Sequence, residues 1–387
     1  MTSQFKFDSG TIVLDGGFGT TLEQAFRLDI SDSPLWSAIA IIDYSDIVIQ
    51  THLAFLRAGA DIISTSTYQC SYSTFERAGY SYIEARKIMS ESVELASQAR
   101  RVFYEEQLRN GDPIRDIRIA LSLGPFGASL QLAQEFNGFY PPPFGPKAYS
   151  QVENCNTFGN DGAGEEESIR SLTQFHFERL LIVFENEAAW NEIDCIAFET
   201  VPLTREIKAV RRAMGLLNNR ITAVASTSGP GISIAKPWWI SMVFPDGKYP
   251  EMTQDGNSKM VASDVIGAAI EKPSAMYPSP SALGINCTPV EYLQILVSQF
   301  EENLESQSIA LGFKPWLVLY PNGGDVYDPI TRSWVDCGSQ SNSAEQWAKA
   351  LTGTSHTLSN TWAGVILGGC CRTTPTHIEA LRRIIHC

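Results

Sequence analysis

The chain has 387 residues, of which 44% are hydrophobic and 19% charged, the proportions of a folded globular protein rather than a disordered or fibrous one. Its formal net charge of -14, with no Lys/Arg stripe to offset it, argues against nucleic acid as a partner. No apolar run reaches transmembrane length, and residues 1–10 lack the basic segment and apolar core of a signal peptide, so no membrane partner and a cytoplasmic location are expected.

Short β-rich runs alternate with longer helix-like segments along the chain. In order, the predicted strands are Thr11–Asp15, Asp61–Thr65, Ile117–Leu123, Asp194–Glu199, Trp238–Phe244, Ala282–Asn286, Trp316–Tyr320 and Gly364–Leu367. Ile221–Ser226 is also strand-like and competes for fifth place, where the run from Trp238 is preferred. Between strands, Ser45–Ala58, Ile169–Ala188 and Val290–Leu304 carry apolar residues at helical spacing. Eight such units predict an α/β fold spanning 1–387 as one domain, a (β/α)8 TIM barrel with long inserted loops. An open doubly wound sheet is the alternative. The insertions are 124–167, which contains Pro141-Pro142-Pro143 and Glu165-Glu166-Glu167, and 227–237. Both exceed ordinary strand-to-helix connections and read as surface insertions or mobile loops.

Eight cysteines in a long chain without a secretory signal suggest free thiols or metal ligands rather than a disulfide framework. Five stand alone in the sequence: Cys70, Cys155, Cys195, Cys337 and Cys387. Barrel chemistry gathers at the C-terminal ends of the strands, and there Cys287 ends the sixth predicted strand while Cys370 and Cys371 follow the eighth. Neighbouring residues of a regular strand point to opposite faces; Gly368 and Gly369 are expected to supply backbone angles that turn both thiols inward. Three thiolates leave one tetrahedral position open, the pattern of a catalytic zinc, one per chain. Zinc there would hold a substrate thiol deprotonated. Buried apolar cysteines, or a vicinal Cys370-Cys371 disulfide serving a zinc-binding or dithiol redox protein, are the competing readings. A vicinal redox pair has no need of Cys287.

Several blocks in fixed order carry a resemblance: Leu14-Asp15-Gly16-Gly17-Phe18-Gly19-Thr20, Pro34-Leu35-Trp36-Ser37-Ala38, Ala58-Gly59-Ala60-Asp61-Ile62-Ile63, Ala197-Phe198-Glu199-Thr200-Val201-Pro202, Gly284-Ile285-Asn286-Cys287, Tyr320-Pro321-Asn322 and Gly368-Gly369-Cys370-Cys371-Arg372-Thr373-Thr374-Pro375. Together they resemble the homocysteine S-methyltransferase family. The resemblance implies a barrel in which Cys287, Cys370 and Cys371 hold zinc and homocysteine sulfur completes the set. It also implies a substrate pocket of Asp15, Gly16, Gly17, Glu199 and Asn286, with Glu199 on the homocysteine amino group. The glycine block offers backbone N–H groups that fit an anion such as the substrate carboxylate; on its own residues, which match neither the dinucleotide fingerprint nor the P-loop, it reads first as a tight strand-to-helix turn.

Trp36 and Tyr68 resemble family positions that bound the methyl-donor pocket, where an aromatic wall attracts a sulfonium by roughly 0.5 to 2 kcal/mol. Arg372-Thr373-Thr374-Pro375 resembles the sulfonium-using branch. The implied reaction moves a methyl group from S-methylmethionine, or S-adenosylmethionine, to homocysteine and makes methionine. Selenocysteine is an alternative acceptor.

Overall fold

The computed structural model describes residues 5–7, 10–30, 33–228, 235–328, 333–336 and 343–386. Runs rich in Val, Ile and Leu form β1 (Thr11–Val13), β2 (Ile62–Ser64), β3 (Arg118–Leu123), β4 (Cys195–Val201), β5 (Trp238–Met242), β6 (Ala282–Asn286), β7 (Trp316–Tyr320) and β10 (Val365–Leu367). These pair in parallel in the order β1-β10-β7-β6-β5-β4-β3-β2. A parallel bridge between Leu14 and Ile62 links the two ends of the sheet, so the eight strands form a nearly closed (β/α)8 barrel, as the sequence predicts. β8 (Asp325–Asp328) and β9 (Ser333–Asp336) form an antiparallel hairpin after β7, which the sequence reading missed.

Strand alternation divides the core. Ile12, Leu14, Ile62, Ala120, Ala197, Trp239, Trp316, Val318 and Ile366 pack together in one cluster, and their strand neighbours Val13, Ile63, Ile119, Leu121, Ile196, Phe198, Trp238, Leu317 and Leu367 belong to a second, which includes helix residues. The first cluster is the barrel interior. Phe5 joins it, its ring 6.1 Å from Trp239 and 6.3 Å from Trp316.

The helices follow the periodicity with shifted ends. Ser45–Ala58 is helical as predicted, closed by Gly59 at φ 112°. The segment around 169–188 instead starts at Gly162, because the Asp161 carboxylate accepts the Gly164 N–H. It stops at Phe184, and Asn186 caps a separate short helix, Glu187–Glu192. The helix expected over Val290–Leu304 begins as a 3₁₀ turn and runs to Leu311. Ile221–Ser226 lies within the helix Thr204–Ser228, which leaves the fifth strand at Trp238. Of the second predicted insertion, 229–234 lie outside the described residues.

The stretch after β3 differs most from expectation. Residues 162–167 with their acidic run belong to the helix, where negative charge at an N-terminus is favourable. Buried hydrogen bonds tie the irregular part to the barrel at several points. Glu206, fully buried on the helix Thr204–Ser228, accepts the Phe126 N–H at 2.7 Å, the Tyr140 hydroxyl at 2.8 Å and His176 Nε2 at 3.0 Å. Arg179 donates to the carbonyls of Gly124 at 2.6 Å and Tyr68 at 2.8 Å. Arg205 reaches Asn156 O at 2.6 Å and Glu251 at 3.1 Å.

Replacing Glu206 by Ala strands three buried donors, each worth about 1 to 3 kcal/mol when left unpaired. Glu206→Ala should therefore lower unfolding stability by about 3 kcal/mol or more in a urea titration. Protease cleavage between 141 and 155 should precede global unfolding. An unchanged midpoint would show that the network does not hold this loop.

Candidate active site

Parallel register places the last residues of the strands on one rim, and a cavity of about 800 Å³ opens there. Cys287 follows β6, while Cys370 and Cys371 follow β10. The Cys371 Sγ lies 3.8 Å from Cys287 Sγ and 4.0 Å from Cys370 Sγ. Cys287 and Cys370 are joined as a disulfide, and Cys371 is a free thiol pushed up to about 12 by burial. The vicinal pair considered from the sequence is not bonded.

A tetrahedral metal with sulfur at about 2.3 Å needs S···S edges of about 3.8 Å. The two open edges match; the third requires the Cys287–Cys370 bond to be reduced. Among the described residues these three are the group of His, Cys, Asp or Glu whose ligand atoms all fall within 4.8 Å of one another. The donor set is all sulfur and suits a thiophilic ion.

Backbone strain falls elsewhere than predicted. Cys287 at φ 47° and Arg372 at φ 64° are the left-handed residues of this region, and Gly368 and Gly369 are not. Close approach is what the two glycines permit. A Cβ on Gly368 would lie 2.6 Å from Leu14 Cβ, and one on Gly369 would lie 2.1 Å from Thr373 Oγ1.

The carboxylates have different surroundings. Asp15 is 2% exposed and accepts the Ser64 N–H at 2.7 Å and the Ser64 hydroxyl at 3.0 Å, so it ties β1 to β2 at the barrel seam. Burial pushes its carboxyl up to about 8. Glu199 lies at the bulge that ends β4, between Phe198 and Val201, where Thr200 has φ 59°. Its Oε1 is buried and has no partner. Burial raises its carboxyl to about 7 against the opposing effects of a Ser122 hydrogen bond and the Arg179 charge.

Asn286 takes a different place from the substrate contact the resemblance implies. It is fully buried and absent from the cavity wall. Its Oδ1 accepts the Thr200 N–H at 2.8 Å, and its Nδ2 donates to Thr200 Oγ1 at 2.8 Å and approaches Cys370 Sγ at 3.8 Å. It clamps the Glu199 bulge to the cysteine loop. Gly16 and Gly17 line the cavity, and the Gly17 N–H donates to Thr373 O at 2.9 Å and Thr373 Oγ1 at 3.0 Å. The Gly17 N–H is thus taken up by a backbone joint, as the tight-turn reading of this block has it.

A model of homocysteine S-methyltransferases matches residues 12–385. The chain belongs to the homocysteine S-methyltransferase family. It is a methyltransferase with a thiol acceptor. It is 31% identical over 393 residues to selenocysteine Se-methyltransferase of Brassica oleracea var. italica, covering 99% of this chain and 91% of that protein. Homocysteine S-methyltransferase 1 of Zea mays is 31% identical, covering 97% and 94%. Among solved structures, the homocysteine methyltransferase MmuM of Escherichia coli in its oxidized form aligns with a TM-score of 0.64 at 26% identity, covering 97% of each chain. The metallated form aligns at 0.60 with the same identity and coverage.

In this methyltransferase the two aromatic residues singled out from sequence both line the cavity. Trp36, at φ 43°, lies over Gly19, where a Cβ would come within 2.4 Å of its ring. Its Nε1 donates to Glu23 at 3.1 Å. The Tyr68 hydroxyl is pushed well above its usual value, first by burial and then by Glu135 and Glu199. Sequence reading missed Glu135, Glu23 and Ser122. Glu135 lay inside a presumed insertion with no periodic pattern to single it out.

The three-sulfur arrangement predicts that metal uptake depends on reduction. After treatment with a reductant the protein should take up metal, whereas oxidised protein should not. Cys287→Ala, Cys370→Ala and Cys371→Ala should each abolish uptake while Cys155→Ala keeps it, as read by elemental analysis after desalting. Retention by all three variants would place the metal elsewhere.

Proposed function

We propose that this single catalytic unit is a zinc-dependent homocysteine S-methyltransferase that forms methionine from homocysteine and a sulfonium donor, S-methylmethionine first and S-adenosylmethionine second. The observation that carries this reading is the placement of three convergent cysteine sulfurs in the same cavity as Glu199, whose Oε1 has no partner. One zinc per chain, held by Cys287, Cys370 and Cys371, would keep the acceptor sulfur deprotonated at neutral pH.

Glu199 takes the acceptor's ammonium on its free oxygen, and Asp15 and Asn286 hold the strand ends that aim it. Gly16 and Gly17 let the first loop approach the cysteine loop. Trp36 and Tyr68 wall the donor side. The thiolate attacks the donor methyl carbon in line; the new C–S bond forms as the old one breaks, and its electron pair stays on the donor sulfur. Both reacting charges disappear, so a site that excludes water accelerates the step by withholding the solvent that stabilises separated charges. No protein base acts in the displacement.

A second acceptor, selenocysteine, is supported by the 31% identity to a selenocysteine Se-methyltransferase, since a selenolate is compatible with the same sulfur-rich centre. No single helix among the described residues is long and apolar enough to cross a membrane.

Methionine formation from homocysteine with S-methylmethionine, S-adenosylmethionine and betaine at equal concentration tests the donor assignment. S-methylmethionine should give the highest rate, and a preference for betaine would overturn it. Glu199→Gln should raise the homocysteine KM about 10- to 100-fold, the loss of one charge-assisted contact, with metal content unchanged. Because the Glu199 carboxyl is raised to about 7, its charge is full above that pH and lost as pH falls through it. The wild-type homocysteine KM should rise between pH 8 and pH 6, and this rise should flatten in Glu199→Gln.

A further inference from the structure

A second carboxylate in the cavity, Glu135, has no assigned work. Its Oε2 is buried without a partner, and burial raises its carboxyl to about 7. It is built into place. The Gln134 N–H donates to Gly127 O at 3.0 Å, and a Cβ on Gly127 would lie 2.7 Å from Glu135 N, so only glycine lets the chain fold back this closely. Phe126 next door is held by Glu206, and Arg179 fixes Gly124 and Tyr68 together. Glu135 and the Tyr68 wall therefore share one rigid mount.

The electrostatics of the cavity point to a cation. Asp15, Glu23, Asp29, Glu135 and Glu199 line it, against one lining guanidinium, Arg77, which donates to Ser129 O at 2.5 Å. Tyr68 feels both Glu135 and Glu199, and each carboxylate keeps one buried oxygen without a partner, so the two can serve different cations. An acceptor amino acid presents one ammonium. The donor brings an ammonium of its own and a positive sulfur; the sulfur is the one that has to approach the acceptor thiolate at the cysteines, and Cys371 feels the charge of Glu135.

We propose that Glu135 is the counter-charge for the sulfonium of the methyl donor, seated beside Tyr68 and apart from the Glu199 site of the acceptor ammonium. This rests on the sulfonium-donor reading above. As the methyl group moves, the C–S bond to the donor breaks, its electron pair remains on that sulfur and the sulfonium becomes a neutral thioether. The attraction to Glu135 is thus complete in the bound donor and fading in the transition state. It contributes to donor binding and not to the chemical step.

The test is Glu135→Gln, with Glu135→Asp as the conservative variant and thermal unfolding as the check on folding. The donor KM for S-methylmethionine should rise about tenfold or more, kcat should hold or increase, and the homocysteine KM should not move. Glu135→Asp should recover part of the loss. Calorimetric titration of metal-free protein with trimethylsulfonium, which has no ammonium, should show weaker binding to Glu135→Gln by a similar factor. An unchanged donor KM, a fall in kcat alone, or loss of S-methylmethionine binding with trimethylsulfonium binding intact would overturn the assignment. If wild-type protein turns over none of the sulfonium donors, the functional reading fails first. If wild type is active and the variant matches it, this inference alone fails.

Discussion

Two peptide groups from opposite ends of the chain hold the rim together: the Gly17 N–H donates to Thr373 O at 2.9 Å, and the Thr373 hydroxyl donates to Cys370 O at 2.6 Å while accepting from Gly17. This joint exists because β1 and β10 are neighbours in the barrel. It also explains the small residues around it. A Cβ on Gly17 would lie 2.6 Å from Cys370 O, and one on Gly16 would lie 2.9 Å from Thr373 O. The glycine-rich first motif and the Gly-Gly-Cys-Cys motif are thus two halves of one contact. Moving either loop would displace Cys370 and Cys371 from Cys287.

A second constraint runs across the barrel. Asn286 engages the Thr200 backbone and hydroxyl and reaches toward Cys370, so the bulge that presents Glu199 is coupled to the cysteine loop. Neither Asn286 nor Asp15 needs a substrate to satisfy its polar atoms. Glu199 and Glu135 do. That difference separates residues that build the site from residues that await a ligand, because a buried polar atom without a partner costs free energy until something arrives to meet it.

Much of this was legible in the sequence, and the reasons are specific. All eight barrel strands were found within a residue or two because each is a short apolar run ended by a turn, and strand ends then located the cysteines. Roles were less legible than positions. Asp15, Gly17 and Asn286 stand where the motifs put them, yet their hydrogen bonds go to Ser64, Thr373 and Thr200, contacts set by strands that are distant in sequence. Gly368 and Gly369 looked like sources of unusual φ, and the strain sits on Cys287 and Arg372 instead. Glu135 gave no signal, since its place depends on the close approach at Gly127 and on Glu206, which holds Phe126 from 80 residues further along the chain.

Charge accounting ties the proposed centre to its substrates. Three thiolates around a dication carry a net charge of -1, and a fourth sulfur anion makes it -2, in a cavity already walled by acidic side chains. Burial already raises the carboxyls of Asp15, Glu135 and Glu199, so each of them gains from a cation that arrives beside it. An anionic or neutral donor would leave that charge uncompensated. A cationic donor offsets it on entry, and the methyl transfer then removes one negative and one positive charge together. The same acidic walls that would oppose a phosphate-bearing ligand therefore favour a small sulfonium, and they make product release easier, since the spent donor leaves as a neutral thioether with one fewer hold on the pocket.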